Sequence, residues 1–427
     1  MPSVALICIG DELLNGHTHD KNAFWLGKFL PELGLKLSQV LVIPDSVDGI
    51  AQTIEKALKQ FDVVITSGGI GPTQDDLTRL AFSKAFDASI EKNQRVTQIV
   101  KDQYERRGIN WDEYKKTLKL KNPYQDYECL PEGFTPLSND VGLAPPFYKI
   151  IKTKFVLGLP GVPREFQSII EKNLKNLFMQ AGHSLDQNQS RIVIRTRETP
   201  EEKIFFKIAP KLWDRLSKFG KVASLPHIMG VDIVLSGLQG PTDEVHKRIE
   251  DIIHDENLNS IVWQIGEVPL PNFVIAKAKE KNLTLSTAES CTGGLIANLI
   301  TDVPGASEVY LGTVVSYANE AKMKLLNVSK QNLDQFGAVS TQVAEEMALG
   351  ASLKLGSNLS VSTTGIAGPA GGSPHKPVGT VAIAGVRNGN VSSSLYHYKG
   401  TRDQLKYRFC KKALFTFLDL IQEKPKS

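Results

Sequence analysis

Cysteine is scarce in this chain: four in 427 residues, at positions 8, 129, 291 and 410, far apart and in no CxxC spacing. Structural zinc sites need paired cysteines and disulfide scaffolds need dense ones, so neither is expected. Long apolar runs are missing too; none approaches the roughly 18 residues of a membrane span. The opening MPSVALICIGDELL has no basic run, and its apolar stretch is short for a secretory signal. An excess of one charge is also lacking. Lys and Arg number 50 against 46 Asp and Glu, and clusters such as Lys115-Lys116 and Lys411-Lys412 are isolated. A dedicated nucleic-acid surface shows as concentrated basic charge, so none is expected. These absences point to a cytoplasmic, multidomain protein of a reducing compartment, without a membrane anchor.

What is present is ordinary apolar content, 41%, enough to build real cores. Over residues 1–180 short apolar runs alternate with amphipathic stretches. VALICI and DVVIT read as strands buried on both faces, and GIAQTIEKALKQF as a helix between strands. That alternation predicts an α/β domain with a doubly wound parallel sheet. Residues 188–259 read as a small α+β middle module, with PEEKIFFKIAPKLWDRLSKF as one helix. Its GLQG tetrapeptide lacks basic residues and follows a strand, unlike an RNA-binding loop. Residues 272–427 return to alternation and read as a separate α/β domain closed by a helix. GEVPLPNF is the expected linker.

Two glycine-bearing turns carry the chemistry. SGGIGPTQDDLT follows the strand DVVIT, where glycines let backbone approach a ligand and a helix start favours anions. Asp75 and Asp76 offer carboxylates to a hard cation, and Asp11 and Glu12 reach the same sheet edge if the strands are parallel. The alternative is a capping box in which Asp76 reaches back to Thr73. The second turn is STAESCTGG, where Ser290 stands between a strand and a helix near backbone N–H groups. A serine nucleophile needs a base. Lys322, in SYANEAK, serves if burial keeps it neutral, with Tyr317 to orient it or relay a proton. The alternative makes Ser290 a plain N-cap. Cys291 has no partner that would make it a thiolate and reads as a small buried residue. Arg402, near the start of the last helix, is suited to a substrate phosphate.

GDELLNG with the later Asn22, together with TSGGIGPTQDDLT, resembles the molybdopterin-binding proteins of molybdenum-cofactor synthesis. LPGVPREF narrows this to the N-terminal domain of the CinA (competence/damage-inducible) family. The resemblance implies a pyrophosphatase that uses a divalent metal, Mg or similar, to split ADP-ribose into AMP and ribose 5-phosphate. It assigns substrate contacts to Gly10, Glu12, Asn22, Ser67, Gly68, Gly69, Gly71 and Thr73, and the metal to Asp75 and Asp76. The family's GTAPG segment reads GLAPP here, residues 142–146. AESCTGG, SYANEAK, TTGIAGP and KPVGTV, in that order, are similar to the C-terminal CinA domain, a nicotinamide-mononucleotide amidohydrolase family. This resemblance implies deamidation without a cofactor. Ser290 becomes nucleophile, Lys322 base and Tyr317 its partner, with Glu289, Thr292, Gly293, Thr364, Gly365 and Arg402 at the substrate. It also implies a homodimer. The rival readings are a non-catalytic pterin- or nucleotide-binding protein and a competence or DNA-repair accessory factor.

Overall fold

The computed structural model describes residues 2–118, 120, 122–184 and 191–422. The expected start of the middle module at residue 188 lies outside them, as do residues 1 and 423–427 of the two outer domains. The chain forms two compact units, residues 1–191 with 236–238, and residues 192–235 with 239–427. No described helix is long and apolar enough to cross a membrane.

Among the described residues the first unit contains eight strands: β1 (Ser3–Ile9), β2 (Lys36–Ile43), β3 (Val63–Ser67), β4 (Ile90–Lys92), β5 (Cys129–Pro131), β6 (Thr135–Pro136), β7 (Phe147–Ile151) and β8 (Lys154–Leu159). Six form a sheet in the order β2-β1-β3-β8-β7-β6, and β4 pairs with β5. β1 runs parallel to β2 and β3, and β3 parallel to β8; β7 and β6 add antiparallel edges. Alternate residues of β1 enter two cores, Ile7 and Ile9 on one face, Val4, Leu6 and Cys8 on the other. That is why its sequence is continuously apolar. Helix Val47–Gln60 covers one face with Ile50, Ala51, Ile54 and Ala57, a spacing of one helical stripe. Helix Pro163–Gln180 covers the other with Phe166, Ile169, Ile170 and Leu174. The carboxyl ends of β1 and β3 therefore open at one edge, beside the two acidic turns.

The second unit holds two sheets. In the first, β9 (Ile192–Thr196) lies between β11 (Gly230–Ser236) and β12 (Val262–Ile265), with β10 (Lys221–His227) at the edge. This sheet runs past residue 259, because β12 pairs antiparallel with β9 up to Ile265. The single helix expected over residues 200–219 is broken into Glu201–Lys203, a π turn Ile204–Ile208 and Leu212–Ser217. Pro210 falls in the gap, where its missing N–H and ring interrupt a helical ladder.

The second sheet has the order β14-β13-β15-β16-β17: β13 (Leu285–Glu289), β14 (Tyr310–Val315), β15 (Leu359–Gly365), β16 (Thr380–Arg387) and β17 (Asn390–His397). β13 is parallel to β14 and β15, whereas β16 and β17 return antiparallel. On β16, Val381 and Ile383 face a core filled by helix Arg402–Gln422; Ala382 and Ala384 face helix Thr341–Leu355. Within this unit the two sheets share contacts. Trp263 meets Phe273 and Phe415 edge-on, Met229 joins the large core, and Arg197 pairs with Asp419 at 2.6 Å. The stretch GEVPLPNF enters helix Leu270–Glu280 directly.

Candidate functional site

In the first unit, a cavity of about 370 Å³ lies beyond the ends of β1 and β3. Gly10, Glu12, Asn22, Ser67, Gly68, Gly69, Asp75 and Asp76 all line it, with Asp45 and Lys21 added. Gly68 is forced by geometry: φ is 113°, and a Cβ there would lie 2.3 Å from the Ile9 carbonyl. Asn22 is buried, and its amide donates to Ser67 Oγ and the Gly161 carbonyl, both at 2.8 Å. Its Oδ1 is left without a partner among the described residues.

The acids divide into two kinds. Asp76 Oδ2 accepts from the N–H of Thr73 at 2.9 Å and from its hydroxyl. This is half of the expected capping box, but it closes an isolated turn; the helix begins later, at Thr78–Ala85. Thr73 is not among the residues lining the cavity, and Gly71 lines a neighbouring one. Asp75 and Glu12 have no such hydrogen bond among the described residues. Burial pushes the Asp45 carboxyl up, and the negative charge of Asp11, Glu12 and Asp75 adds to this. Among the described residues no three His, Cys, Asp or Glu side chains converge as a metal cage. Mg-type ions are often held by one or two carboxylates, with water and substrate phosphates completing the shell. Asp75 and its neighbours fit that looser role.

Sequence reasoning missed Arg79. It is buried, and its guanidinium donates to the carbonyls of Ile70, Gly71 and Tyr124 at 2.5, 3.1 and 2.9 Å, fixing the glycine loop from behind. The signal was present: one arginine on the buried face of the short helix that follows the loop. The GLAPP segment lies on a second cavity of about 500 Å³ through Gly142, Leu143 and Ala144; this cavity also touches Gly69, Gly71, Asp76 and Gly161.

In the second unit, β13 carries Ser290 just past its end. The Ser290 N–H donates to the Thr363 carbonyl on β15 at 2.9 Å, which fixes the start of the turn. Lys322, in helix Asn319–Leu326, is 1% exposed. Its Nζ stands 2.9 Å from Ser290 Oγ and donates to the carbonyls of Ser316 at 2.9 Å and Tyr317 at 3.2 Å. No carboxylate pairs with it among the described residues, and burial lowers its pKa. Burial pushes the adjacent Cys291 thiol up to about 12.

The structure gives five of the expected contact residues the following surroundings. Glu289 is buried, with both carboxylate oxygens engaged by backbone: Oε2 accepts from the N–H groups of Gly294 and Ile296 and Oε1 from that of Ala297, at 2.9, 3.2 and 2.8 Å. It caps helix Leu295–Thr301 from the strand side, so Ser290 is not the cap. Thr364 is 1% exposed, and its hydroxyl donates to the Ala338 carbonyl at 2.7 Å. Thr292 is buried, its hydroxyl 2.8 Å from that of Thr363. Tyr317 orients the lysine through its carbonyl, one of the two roles expected of it, while its side chain is 66% exposed. Gly365 sits within the β15 ladder, against Val381.

The turn leaves specific donors free. The N–H groups of Gly293 and Gly294 go to the Ser290 carbonyl and to Glu289, whereas among the described residues that of Cys291 meets only its own thiol and that of Thr292 finds no acceptor. At the rim, Arg402 donates to the Gly368 carbonyl. Lys406, one helical turn further on, brings Nζ within 4.0 Å of where a Gly293 Cβ would be. It was not foreseen, although its i, i+4 spacing from Arg402 put both on one helix face.

Comparison with known proteins matches residues 267–421 to the CinA C-terminal domain and residues 5–180 to the probable molybdopterin binding domain. A CinA-like protein of Kosmotoga olearia is 35% identical over 412 residues, 94% of this chain and 95% of that protein. A putative competence-damage inducible protein of Clostridium beijerinckii is 31% identical over 421 residues, 98% of each chain. A solved competence/damage inducible protein of Agrobacterium tumefaciens is 41% identical, covering 37% of this chain and 99% of its own, with a TM-score of 0.35.

Proposed function

The chain belongs to the CinA family, and we propose that its C-terminal part hydrolyses the carboxamide of nicotinamide mononucleotide, giving nicotinate mononucleotide and ammonia. The observation that carries this reading is the buried amine of Lys322, 2.9 Å from Ser290 Oγ with no carboxylate among the described residues to hold it charged. A neutral amine has two N–H bonds for the carbonyls of Ser316 and Tyr317, and one lone pair left for the serine proton.

The steps follow from that arrangement. Lys322 takes the Ser290 proton as Oγ attacks the carboxamide carbon. The oxyanion that forms is met by the N–H groups of Cys291 and Thr292. Lys322 returns its proton to the leaving nitrogen, and ammonia departs as the acyl ester forms. Water, deprotonated by the same lysine, then opens the ester and restores Ser290. Arg402 and Lys406 supply positive charge for the phosphate. The direct test is ammonia release from nicotinamide mononucleotide by the full chain; folded protein that releases none removes the proposal.

For the N-terminal part the reading is hydrolysis of ADP-ribose to AMP and ribose 5-phosphate. It is supported by the glycine-lined cavity, the uncommitted Asp75 and the unpartnered Asn22 Oδ1, an acceptor suited to a sugar hydroxyl. A divalent cation bound near Asp75 would screen phosphate charge. The residues of the chain do the rest: Gly68 and Gly69 allow close approach, and Asn22 orients the ligand. Measuring AMP formation with and without Mg²⁺ tests this part. A cytoplasmic homodimer acting in pyridine-nucleotide salvage belongs to the same proposal, and the mass in solution tests its dimeric element.

A further inference from the structure

In the second unit a cleft of about 500 Å³ opens between the four-stranded sheet and the end of β17, lined by residues apart from the Ser290 turn. That volume is typical of small-molecule sites. Tyr396 and Tyr398 form an aromatic wall, their ring planes 19° apart and their centroids separated by 6.3 Å. Tyr398 donates to Glu198 at 3.3 Å, and Lys412 pairs with the same carboxylate at 2.6 Å while lying over the Tyr396 ring. The acid of the wall is therefore already satisfied.

Arg408 is not. Its guanidinium lies 6.0 Å over the Tyr398 ring, yet it meets no carboxylate or carbonyl among the described residues, and its Nε is buried without a hydrogen-bond partner. The residue is half-exposed, so its terminal nitrogens stay accessible, and an arginine fork open beside an aromatic wall is suited to an anion. His227 lines the same cleft on the opposite sheet, its Nδ1 accepting from the Met229 N–H at 3.3 Å and its Nε2 3.4 Å from Asp232, so it adds shape rather than a free donor. Exposed Glu202, also on the lining, offers acceptors for hydroxyl groups.

We infer that this cleft binds a mononucleotide: phosphate on Arg408, the flat base against Tyr396 and Tyr398, and sugar hydroxyls toward Glu202. A bare phosphate would leave the aromatic wall unused, and a nucleoside would leave the arginine open. The inference does not depend on the amidase reading, because none of these residues belongs to the Ser290 turn. Helix Arg402–Gln422 carries Arg408 and also Arg402 and Lys406, so ligand binding here acts on the element that rims the other site.

The test is hydrogen exchange on the full chain with AMP, adenosine or inorganic phosphate as separate probes. AMP is expected to protect residues 226–231 and 396–399. In Arg408→Gln the half-saturating AMP concentration for that protection should rise about tenfold or more, the weight of one charge-assisted pair. Arg408→Lys, which keeps the charge, should fall between. Tracking these segments separates the cleft from AMP bound in the first unit. The inference is overturned if AMP leaves both segments unprotected, if Arg408→Gln binds like the parent, or if phosphate alone protects as well as AMP.

Discussion

At the scale of single residues, Ser290 and Cys291 are separated by what surrounds them. The serine has a buried amine at 2.9 Å, while burial pushes the thiol up to about 12 and keeps it protonated at neutral pH. Ser290→Ala is expected to reduce ammonia release about a thousandfold or more, the scale seen when a nucleophile is deleted. Cys291→Ser should retain most of it; steady-state ammonia assays read both. Lys322 adds a pH signature. Because its folded pKa is lowered from 10.5, kcat/KM should rise as pH climbs through that lowered value and reach its plateau before an ordinary lysine titrates. The same shift has a sign for stability. Between the folded and unfolded pKa values the unfolded chain binds more protons, so stability rises with pH across that window. In Lys322→Met this rise should be lost, measured as denaturant midpoints at several pH values.

At the scale of elements, the turn after β13 depends on a buried carboxylate. Glu289 receives three backbone N–H groups from the start of helix Leu295–Thr301. Glu289→Gln puts an amide against those donors and should cost about 2–3 kcal/mol, given the strength of hydrogen bonds to charged groups. The thermal midpoint should fall, with kcat falling beside it because the Cys291 and Thr292 donors are set by the same turn. The counterpart in the first unit is Gly68→Ala. A methyl 2.3 Å from the Ile9 carbonyl must displace the glycine loop, so AMP formation from ADP-ribose should drop sharply. Much of these elements was legible in the sequence: apolar runs announced the strands β1 and β3, and glycines marked the turns. Who caps whom was not, since the Glu289 contacts are read only once the chain has turned. Arg79 and Lys406 were only partly legible: their helix faces could be read, their contacts could not. Their roles come from carbonyls and a glycine brought near by folding, and residue type alone makes them ordinary helix cations. Pro210, by contrast, was in plain view inside the stretch read as one helix.

At the scale of the whole molecule, sequence periodicity suggested three successive modules, yet residues 192–235 and 239–265 share one compact unit with the C-terminal sheet and its helices. Nothing local encodes that. Trp263 on Phe273 and Phe415, and Arg197 on Asp419, are contacts that no short stretch of sequence contains. Trp263→Ala should therefore weaken both sheets of the second unit together, by about 3 kcal/mol for a truncated aromatic at a packed joint. Hydrogen exchange should show β9 and β13 losing protection in concert; loss confined to β9 would mean the two sheets unfold independently.

The final helix, Arg402–Gln422, gives this architecture an unusual intolerance. Its early residues rim the Ser290 turn, Arg408 and Lys412 face the tyrosine wall, and Asp419 holds Arg197. A residue inserted between Lys406 and Arg408 would rotate everything beyond it by about 100° and advance it by about 1.5 Å. No local repacking restores such a phase error. Substitutions along this stretch can be absorbed one at a time, but its length cannot drift, so insertions and deletions here should be far more damaging than point changes.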